Sequence, residues 1–509
     1  MKRDKVMSAE AAALLIRDGD TVGLIGGGGG LCEATMLHQA VERRFLQTGA
    51  PRDLTCVHAL GIGDRESRGM NCFAHRGLAK RVIGGHWVWS PRMQEMARDE
   101  DIEAYVLPGG VIMQLMREIA AGRPGLFTHV GLGTFADPRL EGGKLNARAV
   151  DDLVEMVEID GRELLRYRPF PIDVALLKGS AADLDGNISL EQEPANLDIY
   201  AMAAAAHNSG GKVIVQVRKL VEAGALQARA VRVPGALVDS VVVDPEQRQS
   251  YDIVYDPSLS GERRGISPDL EPPPLDIRQV IARRAALELR PGAVVNYGFG
   301  IPDAVAALVA ARGETDRYYQ TIEHGTYGGA LMTGTLFGYA HNPTAMIDAP
   351  SQFDFYSGGG LDIAFLGFGE IDRSGNVNAS KLGGLTVGPG GFVDIAQNAR
   401  KVVFCGSFDA KGATCHVEGG RLIIERQGSL QKFVDCVAQI TFSGKQAMSQ
   451  GQEILYVTER AVFGLADGQL RMEEIALGVD LRSDILERMA FQPIVADHLK
   501  TMPRECFEP

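Results

Sequence analysis

Two stretches of this chain repeat each other. Residues 173–188 read DVALLKGSAADLDGNI and residues 362–377 read DIAFLGFGEIDRSGNV, so Asp173 falls on Asp362, Asp183 on Asp372 and Asn187 on Asn376 at one constant separation. The same separation carries Lys212 of GGKVIVQV onto Lys401 of ARKVVFCG. A strand, a turn and a following strand recur in one register, which restricts the chain to folds built from duplicated units. A weaker echo sets VGLIGGGGGLCEA, starting at Val22, on VVNYGFGIPDAVA, starting at Val294; each reads strand, glycine turn, helix. Strand, glycine turn and helix in succession point to an α/β arrangement. The expected fold class is therefore α/β, with two related open α/β halves and a ligand site in the cleft between them.

The segment 256–275, DPSLSGERRGISPDLEPPPL, carries Pro257, Pro268 and three consecutive prolines, a composition that predicts an extended linker. It divides the chain into an N-terminal half, residues 1–255, and a C-terminal half, residues 276–509. Asp276 is placed to cap a helix, and Pro302 and Gly313 bracket another. At 509 residues the chain can bury a large core without disulfides or metals. Seven scattered cysteines with no Cys-x-x-Cys pair fit a reducing compartment and no zinc ribbon. The net charge of −13 argues against nucleic acid or an anionic membrane as partner. No apolar run is long enough to span a membrane, and the first 20 residues are too interrupted for a signal peptide, so a cytoplasmic location is expected.

Glycine is in excess, at 61 residues, and two runs of it follow predicted strands. Gly26 to Gly30 offer bare backbone where a ligand can approach closely, with a plain tight turn as the bland alternative. Gly298-Phe299-Gly300-Ile301-Pro302 is the matching loop in the second half. Neither completes the dinucleotide fingerprint, because Asp303 stands where the third glycine belongs, which leaves a nicotinamide site as a weak second choice. A phosphate loop of the Gly-x-x-x-x-Gly-Lys-Ser/Thr type, a Gly-x-Ser-x-Gly elbow and a His-Glu-x-x-His pair are all missing. Cys415 and His416 are neighbours on one strand and point to opposite faces, so they make no catalytic pair.

The segment YYQTIEHGTYGGALMTG places Glu323 at the end of a strand and immediately before Gly325, Gly328 and Gly329. Carboxylates at the C-terminal ends of sheet strands sit where α/β folds hold their chemistry, although an ordinary turn carboxylate would look the same. With this residue the sequence resembles the family I coenzyme A transferases, and within them the single-chain acetate/propionate type. The resemblance runs over nearly the whole chain, through GGGGGL, SAADLDGNI, NSGGKVIVQV, VNYGFGIP, TIEHGTYGG, QFDFYSGGGLDIAFLG, GNVNASKLGG and GPGGFVDIAQNARKVVFCGSF, in that order. His324 departs from the family, which often has asparagine, alanine or serine after the glutamate.

The resemblance implies that Glu323 is the nucleophile of a ping-pong transfer of coenzyme A between short-chain carboxylic acids, through a covalent glutamyl-CoA thioester. It implies that Gly298 to Pro302 and Gly390-Gly391 bind coenzyme A, with the amides of Phe299 and Gly391 as oxyanion donors, and that Asn378 contacts the reacting carboxylate. It further implies that Gly27, Gly28, Gly29 and Gly30 line the acyl pocket and that the protein is a homodimer or homotetramer. No cofactor or metal is expected, coenzyme A being the substrate. Exchanging one thioester for another needs no ATP, which agrees with the missing phosphate loop. Arg373, Lys381 and Arg400 are available for the coenzyme A phosphates, with a solvated surface charge as the bland reading of each. An acyl-CoA hydrolase using the same glutamate, and a non-catalytic coenzyme A-binding protein, are the rival expectations.

Overall fold

The computed structural model describes residues 5–265 and 274–508. In the first half, seven parallel strands lie in the order Ser240–Val243, Lys212–Val221, Val174–Asp183, Thr21–Leu24, Leu54–His58, Ala79–Gly84 and Glu103–Val106. Every residue of Val174–Asp183 is buried, which is why it reads as a nearly unbroken run of small and apolar residues. In the second half, five parallel strands lie in the order Tyr319–Ile322, Val294–Tyr297, Ile363–Gly367, Lys401–Cys405 and Glu453–Val457. Antiparallel strands Ala461–Ala466 and Gln469–Ile475 extend this sheet. The first half carries in addition a three-stranded antiparallel sheet of Leu126–Thr128, Val154–Ile159 and Arg162–Tyr167.

The duplicated positions perform the same work in both halves. The carboxylate of Asp173 accepts the amide of Thr21 at 2.8 Å, and that of Asp362 accepts the amide of Val294 at 2.9 Å. Asp183 accepts the Asn187 backbone amide and side-chain amide at 2.9 Å each; Asp372 accepts those of Asn376 at 3.1 and 2.9 Å. Each aspartate thereby closes the tight turn that follows its strand. The weaker echo needs a shift of one residue. Val22 lies beside Val174 and Val295 beside Ile363, so Val22 corresponds to Val295 and not to Val294. Glycine runs align loops, whereas ladder hydrogen bonds fix strand register.

Residues 256–265 do not form the extended linker that their composition predicts. Asp256 accepts the Ser258 amide at 2.8 Å in a local turn, Ser258 and Leu259 are buried, and the Gly265 amide donates to the Asn342 side chain at 2.8 Å. Leu259 joins the hydrophobic core, and the Asn342 amide donates to the Ser258 carbonyl at 2.9 Å, which docks the segment on the second half. Pro268, Pro272 and Pro273 lie outside the described residues. The two sheets meet edge to edge across loops: the Trp87 amide donates to the Val387 carbonyl at 2.8 Å, Gly390 to Gly85 at 2.9 Å, and Gly109 to Gly390 at 2.6 Å. One hydrophobic core runs through residues of both halves.

Candidate active site

The strand Tyr319–Ile322 pairs in parallel with Val294–Tyr297, so Glu323 and the loop that begins at Gly298 leave the sheet side by side at its C-terminal edge. Glu323 is half-buried, and its carboxyl group rests on the turn Gly388–Gly391. A Cβ at Gly391 would overlap the Glu323 carboxylate, and one at Gly390 would stand 3.9 Å from Oε1. Glycine is required here by that close approach as well as by the positive φ of Gly388 and Gly390. Burial pushes the Glu323 carboxyl up to about 7, and a hydrogen bond from the Gly391 amide opposes the shift. Asp394 lies fully buried one helical turn further on, its own carboxyl raised well above the usual range by burial and by the charge of Glu323.

The opposite wall comes from the first half. Loops that follow its strands Thr21–Leu24, Leu54–His58 and Ala79–Gly84 converge there, which is the crevice where open α/β sheets hold ligands. Gly29 and Gly30 have φ of 74° and 91°, and the Gly29 amide and carbonyl bond Gly63 at 3.4 Å and Tyr251 at 2.8 Å. A Cβ at Gly29 would overlap the carbonyl of Thr335, so the loop Gly27 to Gly30 touches the second half directly. Glu33 braces this wall from behind: it accepts the Gly63 amide at 2.9 Å and the Tyr251 hydroxyl, and burial raises its carboxyl to about 8. His86 reaches over from the third loop, 3.9 Å from the Cβ position of Gly390. Burial lowers its imidazole to about 4, so it is neutral at pH 7.

Of the residues expected from sequence, Glu323, Gly390 and Gly391 come together, while the loop Gly27 to Gly30 meets the second half at Thr335. Gly298 to Pro302 sit at the same sheet edge. Within that loop the Gly298 amide is spent on the Phe365 carbonyl at 2.8 Å and the Gly300 amide on Asp303 at 3.3 Å, while the Phe299 ring is exposed at the mouth and packs edge-on against Phe337. Ile301 and Pro302 lead into the helix Asp303–Ala311. Asn378 is a correction. Its side-chain amide donates to Glu370 at 2.8 Å and to the Lys381 carbonyl at 2.7 Å, and its oxygen accepts from Ser380 and Lys381 at 3.1 and 3.0 Å. Two N–H groups and two lone pairs are all such a side chain owns, so nothing is left for a reacting carboxylate. Arg400 precedes its strand and lies at the N-terminal edge as an exposed surface charge, paired with Asp362 at 3.3 Å and away from Glu323. Sequence reasoning missed His86, Trp89 and Glu33. The signal for the first two was present, since Gly84-Gly85-His86-Trp87 is a glycine turn directly after a strand.

A family model described as Coenzyme A transferase matches residues 5–244. The chain is 42% identical to the acetate CoA-transferase YdiF of Escherichia coli K12, over 99% of this chain and 95% of that protein. It is 45% identical to the caffeate CoA-transferase of Acetobacterium woodii, over 99% of this chain and 97% of that protein. The solved structure of the Escherichia coli O157:H7 acyl-CoA transferase YdiF in its thioester complex with CoA superimposes with a TM-score of 0.94, at 41% identity, covering all of this chain and 96% of that one. The chain belongs to the coenzyme A transferase family. Its reaction is the transfer of coenzyme A between carboxylic acids, and the hydrolase expectation loses its footing.

Proposed function

We propose that Glu323 is the nucleophile of this transfer, and the observation that carries the proposal is its carboxyl group lying on the bare backbone of Gly391 in an interhalf cleft. A Glu323 oxygen attacks the thioester carbonyl of acyl-CoA, the C–S bond breaks, and coenzyme A leaves as thiolate from a mixed acyl-glutamyl anhydride. The thiolate then attacks the glutamyl carbonyl carbon, which releases the acyl group as its free acid anion and leaves a glutamyl-CoA thioester. An acceptor acid runs the two steps in reverse, so no resident cofactor or metal is needed. Each addition places negative charge on a carbonyl oxygen, and the Gly391 amide is the donor at hand to meet it. The amide of Phe299, on the adjacent loop, is the proposed second donor. Glycine walls on both sides let the cleft close around the anhydride and keep water from it.

The acids are short-chain aliphatic monocarboxylates such as the acetate named for one relative, the coenzyme A arm runs out past Gly298 to Pro302, and the protein works as a soluble cytoplasmic homodimer or homotetramer. No helix among the described residues is long and apolar enough to cross a membrane. Glu323→Gln tests the central claim. Turnover should fall by at least about a thousandfold while the melting curve stays cooperative, because an amide cannot form the anhydride. Wild-type enzyme treated with acyl-CoA should carry coenzyme A on the Glu323 peptide by mass; a well-folded variant with undiminished turnover would refute the assignment.

A further inference from the structure

The reaction fixes one end of the acid at Glu323 and leaves the other end to the opposite wall. There, three loops of the first half converge on one side chain, Trp89. A Cβ at Gly28 would overlap the Cε2, Cζ2 and Nε1 atoms of its indole, and a Cβ at Gly61 would overlap its Cδ1. That same Gly61 position lies 2.6 Å from His86 Nδ1, an atom without a hydrogen-bond partner. The other side of His86, Cδ2, lies 3.9 Å from the Gly390 position that is itself 3.9 Å from Glu323 Oε1. Glu323 and His86 thus approach the same Gly390 position, and His86 and Trp89 the same Gly61 position, which links the nucleophile to Trp89 through two glycines. The guanidinium of Arg65 covers the indole 4.5 Å from its centroid, and the Arg65 amide donates to the Trp89 carbonyl at 3.0 Å. A ring held on one side by glycine backbone and on another by a cation has little freedom to swing aside.

Building on Glu323 as the nucleophile, we infer that Trp89 sets the size of the acid this enzyme transfers. The indole, seated on the side-chain-free backbones of Gly28 and Gly61, takes the space into which a longer acyl chain would extend. The pocket accepts short aliphatic acids and turns away medium-chain and aryl acids. The two glycines serve the ring as much as they serve the ligand: each is small so that an aromatic side chain can lie against its loop. Pockets that differ by single methylenes discriminate only modestly, whereas a whole ring filling or vacating a site changes which acids fit at all.

The test compares acceptors within one protein. Wild type and Trp89→Ala are charged with propionyl-CoA and offered acetate, butyrate, hexanoate and cinnamate, and kcat/KM is measured for each from the new acyl-CoA formed. The ratio of hexanoate or cinnamate to acetate should rise at least about tenfold in the variant. A ratio that does not move, including a uniform loss for every acid, overturns the inference, as does a wild type that takes cinnamate as readily as acetate. Trp89→Phe, with a smaller ring, should shift the same ratio part of the way and supplies the answer if the alanine variant fails to fold; an unmoved ratio there overturns the inference equally. Failure of the underlying reading shows elsewhere, as a wild-type enzyme that acquires no coenzyme A on its Glu323 peptide.

Discussion

Glu323 must be ionised to attack, yet its surroundings favour the neutral acid, with the carboxyl pushed to about 7 by burial. The attacking anion is the minority form below that value. The kcat/KM of free enzyme for acyl-CoA should therefore fall about tenfold per pH unit below pH 7 and flatten above it, which a pH profile of glutamyl-CoA formation will read. The same shift has a consequence for stability. A carboxyl whose pKa is raised on folding from an ordinary 4.5 to about 7 binds its proton more tightly in the native state. That stabilisation is complete below pH 4.5 and is lost as the pH climbs through 7. Glu323→Gln, which is never charged, should melt above wild type at pH 8, and the gap should close on acidification toward pH 4.5. A gap independent of pH would mean that the carboxyl is not shifted.

Among the elements, the paired aspartate turns carry the most defined structural load. Asp372 accepts the backbone amides of Ser374 and Asn376, at 2.9 and 3.1 Å, and the side-chain amide of Asn376 at 2.9 Å. Asn376 in turn accepts the Gly444 amide at 3.0 Å, just as Asn187 accepts that of Gly235 at 2.8 Å. Removing the carboxylate strands several donors at once. Asp372→Ala and Asp183→Ala should each cost about 2 to 4 kcal/mol by denaturant unfolding, while Glu323 keeps its raised pKa, because neither turn touches it. The repeat was legible because such turns need one aspartate and one asparagine at a fixed spacing whatever surrounds them. Asn378, two residues beyond Asn376, is expected as a ligand from the family resemblance, whereas Asn376 is marked as a turn residue by the repeat. Asparagine serves both purposes, and only the count of its partners separates them.

For the molecule as a whole, the cleft exists because the two halves are bonded through it. Gly390 donates to Gly85 and accepts from Gly109, the Asp394 carboxylate accepts the Gly110 amide at 3.1 Å, and Arg117 with Gln114 clasps Asp354. The turn that supports the nucleophile is thus pinned by the other half. Residues 1–265 and 274–509 made as separate polypeptides should each be inactive and should regain glutamyl-CoA formation when co-expressed, since the contacts that build the site are noncovalent. Calorimetry of the intact chain should show one transition, given the shared core. Two well-separated transitions would mean that the halves are energetically independent.

The sequence by itself determined the duplication, the α/β class, the position of Glu323 at a strand end and the glycine loops on either side, because each depends on local chemistry or on a repeated spacing. It could not decide the strand register of the glycine loops, which was off by one, nor that residues 256–265 dock on the second half. The placement of His86 and Trp89 between Gly28, Gly61 and Gly390 was equally beyond it. Those features depend on which side chain from one loop comes to rest on the bare backbone of another, distant in sequence. That is a matter of packing between elements, and no spacing within a single element encodes it.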